Sequence, residues 1–260
     1  MHPHVNVAVQ AARKASRLIL RAFDNPHALK ITAKGQNDFV TQVDQASEAI
    51  IIETIQKAFP DHAFYGEESG KQGENHTIWV IDPLDGTTNF IHGFPQFCIS
   101  IAAVHKGKTY HAVVYDPLKD ELFTATKGQG AQLNHKRLRV SERTTFQEAL
   151  LGTGIPYHDM TNLESYLNLF KKLCPLAAGI RRAGSAALDL AYVASGRLDG
   201  FWECDLKAWD VAAGALLIRE AGGLTSDFSG ESINPLNSSH IVAGSPKLHA
   251  QMLDMIKQYF

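Results

Sequence analysis

Residues 79–90 read WVIDPLDGTTNF. The run begins as an apolar strand and turns polar at Asp82. Asp85 arrives three residues later, with Pro83 between them and Gly86-Thr87-Thr88 directly after. Proline cannot extend a β-ladder, so the strand is expected to end at Asp82. Gly86 permits a tight or left-handed backbone. The two threonines suit the start of a helix, where free N–H groups face outward. The string therefore predicts two carboxylates beside a helix N-terminus. Neighbouring carboxylates repel and do not both stay ionised without a counter-charge. A helix N-terminus attracts anions such as phosphate. Hard divalent cations reconcile the two, because they neutralise carboxylates and bridge them to phosphate oxygens. A lone Asp85 would say little, since aspartate is common in turns; the whole string carries the argument.

Two cations need more oxygen donors than two side chains supply. Glu67 and Glu68 in YGEES stand where a strand breaks into a loop. Asp210 in KAWDVAAGA and Asp44 in VTQVDQASE each stand near a helix start. Each has a plain structural account, as an acidic turn or as a residue suited to the helix dipole. Their occurrence at element ends, in one chain with the central string, makes them candidate ligands together.

A rival chemistry uses an aspartyl nucleophile in Asp-x-Asp-Gly-Thr. Here one more residue separates the carboxylates and proline fills the gap, so the second aspartate points differently relative to the first. Histidine offers no alternative centre: no pair among the twelve shows ligand spacing, and a hard-metal site prefers oxygen.

The 260 residues correspond to one large domain or to two that share a core. With 25 basic and 27 acidic residues the chain lacks the basic excess of a dedicated nucleic-acid binder. Cys98, Cys174 and Cys204 are odd in number and without zinc-site spacing, so free, mostly buried thiols in a reducing compartment are expected. No apolar run approaches the roughly 18 residues of a membrane span, and the N-terminus lacks signal-peptide character. A cytoplasmic location without membrane contact is the expectation.

Apolar spacings of three and four predict helices over 5–23 and 42–59. The polar stretch 30–39 between them is expected to be an exposed loop. Strands are expected in 63–70, where a short strand opens into a turn, and in 77–82, 98–107, 108–116 and 120–128, the last three as a meander with tight turns. Helices follow over 162–173, 185–196, 208–223 and 246–260, with strands at 198–203, 223–227 and 240–245. Helices and antiparallel strands in mixed order indicate an α+β layered sandwich. The joint is expected within 141–148, dividing an N-terminal half, 1–143, from a C-terminal half, 144–260, around a shared cleft.

IDPLDGTTNF, preceded by GEES and followed by WDVAAGALLIREAGG, resembles the inositol monophosphatase family. The stretches MHPHVNVAVQAARKA, NDFVTQVD, KGQGAQLN and RRAGSAALDLAYVASGR resemble its bacterial SuhB branch, so the likeness covers essentially the whole chain. The resemblance implies a five-layer α-β-α-β-α sandwich, a homodimer and lithium-sensitive, Mg2+-dependent hydrolysis of a phosphate monoester by in-line attack of a metal-activated water. Myo-inositol 1-phosphate is the expected substrate. It implies that Glu67, Asp82 and the Leu84 carbonyl hold one Mg2+, that Asp82, Asp85 and Asp210 hold a second, and that a weaker third sits near Glu67 through waters. Thr87, with Asp44 behind it, would orient the attacking water, and Glu67 would assist. The N–H groups of Gly86 and Thr87 would hold the phosphate. Glu203, Asp85, Asp210 and the backbone of Gly184, Ser185 and Ala186 would meet the sugar-alcohol, and Lys34 would help order the metal region.

The family pattern varies at 204–207, where Asp205 and Lys207 add charge between Glu203 and Asp210, so substrate preference stays open. The same chemistry on fructose 1,6-bisphosphate, a 3′-phosphoadenosine nucleotide or histidinol phosphate is the alternative. The branch also implies an adaptor role in bacterial transcription antitermination, through protein contacts with RNA polymerase and Nus factors and not through direct nucleic-acid binding.

Overall fold

The structure, a computed structural model, describes residues 2–25, 31–35, 38–156, 160–237 and 239–260. Pro3–Phe23 (α1) has proline at its first position, where the missing N–H costs nothing. Gln42–Ala58 (α2) starts with a reciprocal cap. The Thr41 hydroxyl accepts from Val43 N–H at 3.0 Å, and the Asp44 carboxylate accepts from Thr41 N–H at 2.9 Å. Within the stretch expected to be an exposed loop, Ile31–Gly35 (β1) and Asp38–Thr41 (β2) instead pair as antiparallel strands, while residues 30, 36 and 37 lie outside the described residues. The β-branched and aromatic residues of the two strands favour extended backbone, which outweighs their polar composition. The side chain of Lys34, on β1, lies outside the described residues.

An eight-stranded sheet is built from Ala63–Gly66 (β3), Gly70–Gln72 (β4), Thr77–Asp85 (β5), Cys98–His105 (β6), Lys108–Asp116 (β7), Glu121–Thr126 (β8), Gly130–Leu133 (β9) and Lys136–Arg137 (β10). Its order is β10-β9-β8-β7-β6-β5-β3-β4. Only the β3–β5 pair is parallel, so the expected meander forms its centre. The short helix Thr87–Ile91 (α3) leaves the end of β5. A 3-10 turn at Phe146–Glu148 then leads into the second sheet. That sheet contains Leu150–Thr153 (β11), Gly179–Arg181 (β12), Gly200–Glu203 (β13), Leu224–Ser226 (β14) and Ile241–Gly244 (β15), in the order β12-β11-β13-β15-β14.

Four further helices complete the chain: Leu163–Leu173 (α4), Ala186–Ala194 (α5), Ala208–Glu220 (α6) and Pro246–Ile256 (α7). Strand alternation assigns the layers, because successive side chains leave opposite faces. On β5, Trp79 and Ile81 pack with α1 and α2, whereas Val80 packs with α5 and α6. On β13, Phe201 faces α5 and α6, and Trp202 faces α4 and α7. The result is the expected five-layer sandwich: α1/α2, eight strands, α5/α6, five strands, α4/α7. The last helix stops at Ile256, short of the expected end, and Cys174 is exposed. Cys98 and Cys204 are buried, and all three are free.

One irregularity sets up the site. Contrary to expectation, β5 does not end at Asp82; it continues to Asp85 through a bulge. Asp82 pairs with Ser100 and Asp85 with Cys98, so three steps on β5 oppose two on β6. Pro83 is tolerated because the bulge removes the ladder bond it cannot make. In a regular strand residues three apart point to opposite faces, and the extra residue cancels that alternation. Both aspartates therefore face the α5/α6 layer, while Leu84 packs on the α1/α2 side.

Candidate active site

Asp82 and Asp85 come from the bulged end of β5, and Asp210 from the first turn of α6. Each offers a carboxylate oxygen, and the three atoms lie within 4.8 Å of one another. One oxygen of each acid is already fixed. Asp82 Oδ1 accepts from Leu84 N–H at 3.0 Å, and Asp210 Oδ2 accepts from Lys207 N–H at 2.6 Å. Asp85 Oδ2 accepts from Ser185 Oγ at 2.6 Å and from Ala187 N–H at 2.8 Å, with the Cys98 thiol at 3.7 Å. The Ser185 hydroxyl is thus committed to the acid, which leaves its backbone as the part expected to meet the sugar-alcohol.

Burial raises all three acids above the usual carboxylate range. Asp82 is driven up further by Glu67, Asp85 and Asp210, and Asp210 rises to about 7 through burial and Asp85. Without a counter-ion each buried carboxylate disfavours charge on the others. Glu67 lies outside the tight group of three, on the loop after β3. Its charge is nevertheless the largest electrostatic influence on Asp82. This donor set is all carboxylate and carbonyl oxygen, the set that hard divalent ions prefer, so the residues present fit Mg2+.

Beside the acids, Gly86 adopts φ 96° and caps α3, with Thr87 as the first helical residue. A Cβ at residue 86 would sit 2.9 Å from the Gln96 carbonyl oxygen, so both its backbone angle and its surroundings demand glycine. Thr87 Oγ1 lies 2.9 Å from Asp44 Oδ1 and 3.0 Å from the Leu84 carbonyl, and can donate to either. Asp44 is fully buried, and desolvation raises its pKa despite its hydrogen bonds from Thr41 and Thr87. Asn89 Nδ2 donates to Gln96 O at 2.7 Å and to Ala183 O at 2.8 Å, tying α3 to the turn that carries Gly184 and Ala186.

Glu203, at the end of β13, is half-buried with a strongly raised pKa, from burial first and then from Asp210 and Asp189, with Arg182 opposing. The structure thus gathers Asp44, Glu67, Asp82, Asp85, Thr87, Ser185, Glu203 and Asp210 around one corner.

Three residues here escaped the sequence reading. Glu48 accepts from Glu68 N–H and Ser69 N–H, both at 2.9 Å, and so clamps the loop that carries Glu67. Its position four residues after Asp44, on the same helix face, was the available signal. Ala187 holds Asp85 through its backbone, which no side-chain pattern could announce. Gly154, after β11, gives Glu203 its room: a Cβ there would lie 1.7 Å from Glu203 Oε1. That contact joins residues distant in sequence and leaves no local trace.

The model of the inositol monophosphatase family matches residues 1–259. The Nus factor SuhB of Pseudomonas aeruginosa is 52% identical over 266 residues, covering 100% of this chain and 97% of that protein. The crystal structure of the extragenic suppressor protein suhB from Bartonella henselae superposes with a TM-score of 0.94 at 42% identity, covering 98% of each chain. An IMPase of Thermotoga maritima gives 0.89 at 32% identity, over 99% of this chain and 98% of that one. Among the described residues no helix is long and apolar enough to cross a membrane.

Proposed function

The chain belongs to the inositol monophosphatase family of phosphatases, and we propose that it hydrolyses a small phosphate monoester, myo-inositol 1-phosphate first among candidates, with Mg2+ as cofactor. The observation that carries this is the convergence of Asp82, Asp85 and Asp210 within 4.8 Å beside the Gly86–Thr87 corner. Two Mg2+ ions bound there would activate a water, neutralise the phosphate and stabilise the leaving oxygen. Asp82 would serve both ions, the first with Glu67 and the Leu84 carbonyl, the second with Asp85 and Asp210. A third would sit near Glu67.

The chain's own groups have separable tasks. Asp44 takes the Thr87 hydroxyl proton in a hydrogen bond and turns that oxygen's lone pairs outward to hold and orient the attacking water. The N–H groups of Gly86 and Thr87 hold phosphate oxygens. Ser185 and Ala187 fix Asp85. Glu203 and the backbone at Gly184 and Ala186 orient the polyol. Phosphate-monoester hydrolysis needs stabilisation of charge more than covalent help, which suits a site whose side chains hold ions and orient water. Phosphate release from inositol 1-phosphate, fructose 1,6-bisphosphate, a 3′-phosphoadenosine nucleotide and histidinol phosphate tests the substrate. Preference for one of the latter three displaces the first choice. Inversion at a chiral phosphate is expected, and retention would overturn direct attack.

A second role is supported by the name of the Pseudomonas relative, Nus factor SuhB, at 52% identity. We propose that the chain also acts as a protein adaptor in transcription antitermination, contacting RNA polymerase and Nus factors as a homodimer. Asp85→Asn should abolish hydrolysis yet still capture the transcription complex. Loss of both from a folded protein counts against separate roles.

A further inference from the structure

The sequence showed no histidine pair at ligand spacing, but the fold assembles three histidines at the start of α1. His2, the residue before the helix, and His4 in its first turn meet His111 of β7. A ring nitrogen from each lies within 4.8 Å of the others. The ring centroids are 4.1 Å apart for His2 and His111, 5.0 Å for His2 and His4, and 5.1 Å for His4 and His111. From these we infer a second metal site, chemically unlike the carboxylate cluster, in which His2, His4 and His111 bind a borderline transition ion of the Zn2+ class.

Three observations carry this. First, His2 Nδ1, which caps α1 by accepting from the His4 backbone N–H at 3.3 Å, also lies 3.3 Å from His4 Nδ1. Two nitrogens on one tetrahedral Zn2+, with Zn–N bonds of about 2.0–2.1 Å, are separated by about 3.3 Å. Second, His111 Nδ1 is 3.1 Å from Thr126 Oγ1. With the threonine oxygen accepting, that ring keeps its proton on Nδ1 and presents the other nitrogen's lone pair. This is the arrangement that outer-shell partners give metal-binding histidines. Third, a cavity of about 390 Å³ lined by His2, Thr124, Thr126 and His135 opens beside the group, with room for a completing water.

The donor set selects the metal. Three imidazoles suit Zn2+ and its first-row neighbours, whereas Mg2+ prefers oxygen. The positive end of α1 opposes a cation here, but this effect is small and falls off within the first turn. Direct nitrogen bonds exceed it. The bound ion would pin the first turn of α1 to the middle of the eight-stranded sheet, a staple between layers that is independent of hydrolysis.

The test uses the full chain, stripped with chelator and titrated with Co2+ in excess Mg2+, which occupies the carboxylate cluster. The intense visible bands of a low-coordinate nitrogen site should grow to one equivalent and be displaced by one equivalent of Zn2+. His111→Ala and His4→Gln should each abolish them. Thr126→Val should weaken Zn2+ binding roughly tenfold, as loss of an outer-shell partner does. ZnCl2 should raise the melting temperature of the wild type and not that of His4→Gln, while phosphate release in Mg2+ is equal in both. Bands that never appear overturn the site. Bands that survive His111→Ala also overturn it, because they then come from the first residues alone. If His111→Ala does not fold, His4→Gln and Thr126→Val decide by the same readings.

Discussion

Gly154→Ala isolates the role of Glu203 without touching it. The backbone of Gly154 is not in the left-handed region, so alanine fits it, and the only change is one methyl group. That methyl would stand 1.7 Å from Glu203 Oε1 and 1.9 Å from its carboxyl carbon, distances that force the carboxyl group away. Departure is not strongly resisted, because burial and the neighbouring Asp210 and Asp189 already disfavour the charge. Stability should fall by about 1 kcal/mol, the low end for overpacking. A polyol substrate would lose a hydrogen bond to a carboxyl group whose charge is disfavoured, worth about 0.5–1.5 kcal/mol. At about 1.4 kcal/mol per tenfold, its KM should rise by about 2- to 12-fold. The assay compares inositol 1-phosphate with p-nitrophenyl phosphate, which offers no ring hydroxyls. Only the first should lose affinity, and kcat on the second should hold. An unchanged KM for the polyol, or an equal fall in kcat on both substrates, refutes the assignment of Glu203 to the polyol.

Glu48→Gln replaces one of two accepting oxygens with a donor facing an N–H, at a cost of about 1.5–3 kcal/mol. The Mg2+ concentration for half-maximal phosphate release should rise about tenfold, and an unchanged value removes Glu48 from the metal region. Thr87→Val keeps the shape and deletes the hydroxyl. The kcat should drop by about 100-fold or more with little change in melting temperature, and a smaller loss denies the threonine its water. In chelated protein, acids raised on folding bind more protons folded than unfolded. Their contribution to stability is therefore full below the unfolded aspartate value of 3.8 and is lost as pH rises towards about 7, where Asp210 titrates. Melting temperature should fall over that window, less steeply in Asp210→Asn, and Mg2+ should restore more at the alkaline end. Equal slopes in the two proteins would show that Asp210 titrates normally.

Much of this was legible in one dimension. Alternation and helical spacing gave the order of most elements, and the GEES, DPLDGTT and WDVAAG stretches named the acids that meet. Local composition misled where pairing decides: residues 31–35 and 38–41 pair as strands because β-branched side chains and a partner strand outweigh polarity. It was silent on Glu48, Gly154 and Ala187, whose roles are contacts with distant or backbone atoms.

The sequence by itself determined which residues could carry charge, where the chain must turn and which faces seek burial, because these depend on side-chain chemistry and near neighbours. Tertiary structure alone decided that Asp82 and Asp85 share a face, that Asp210 joins them and that their protons are held to unusually high pH. Those facts depend on a bulge in strand register, on packing across two sheets and on removal of water, none of which exists until the whole chain has folded.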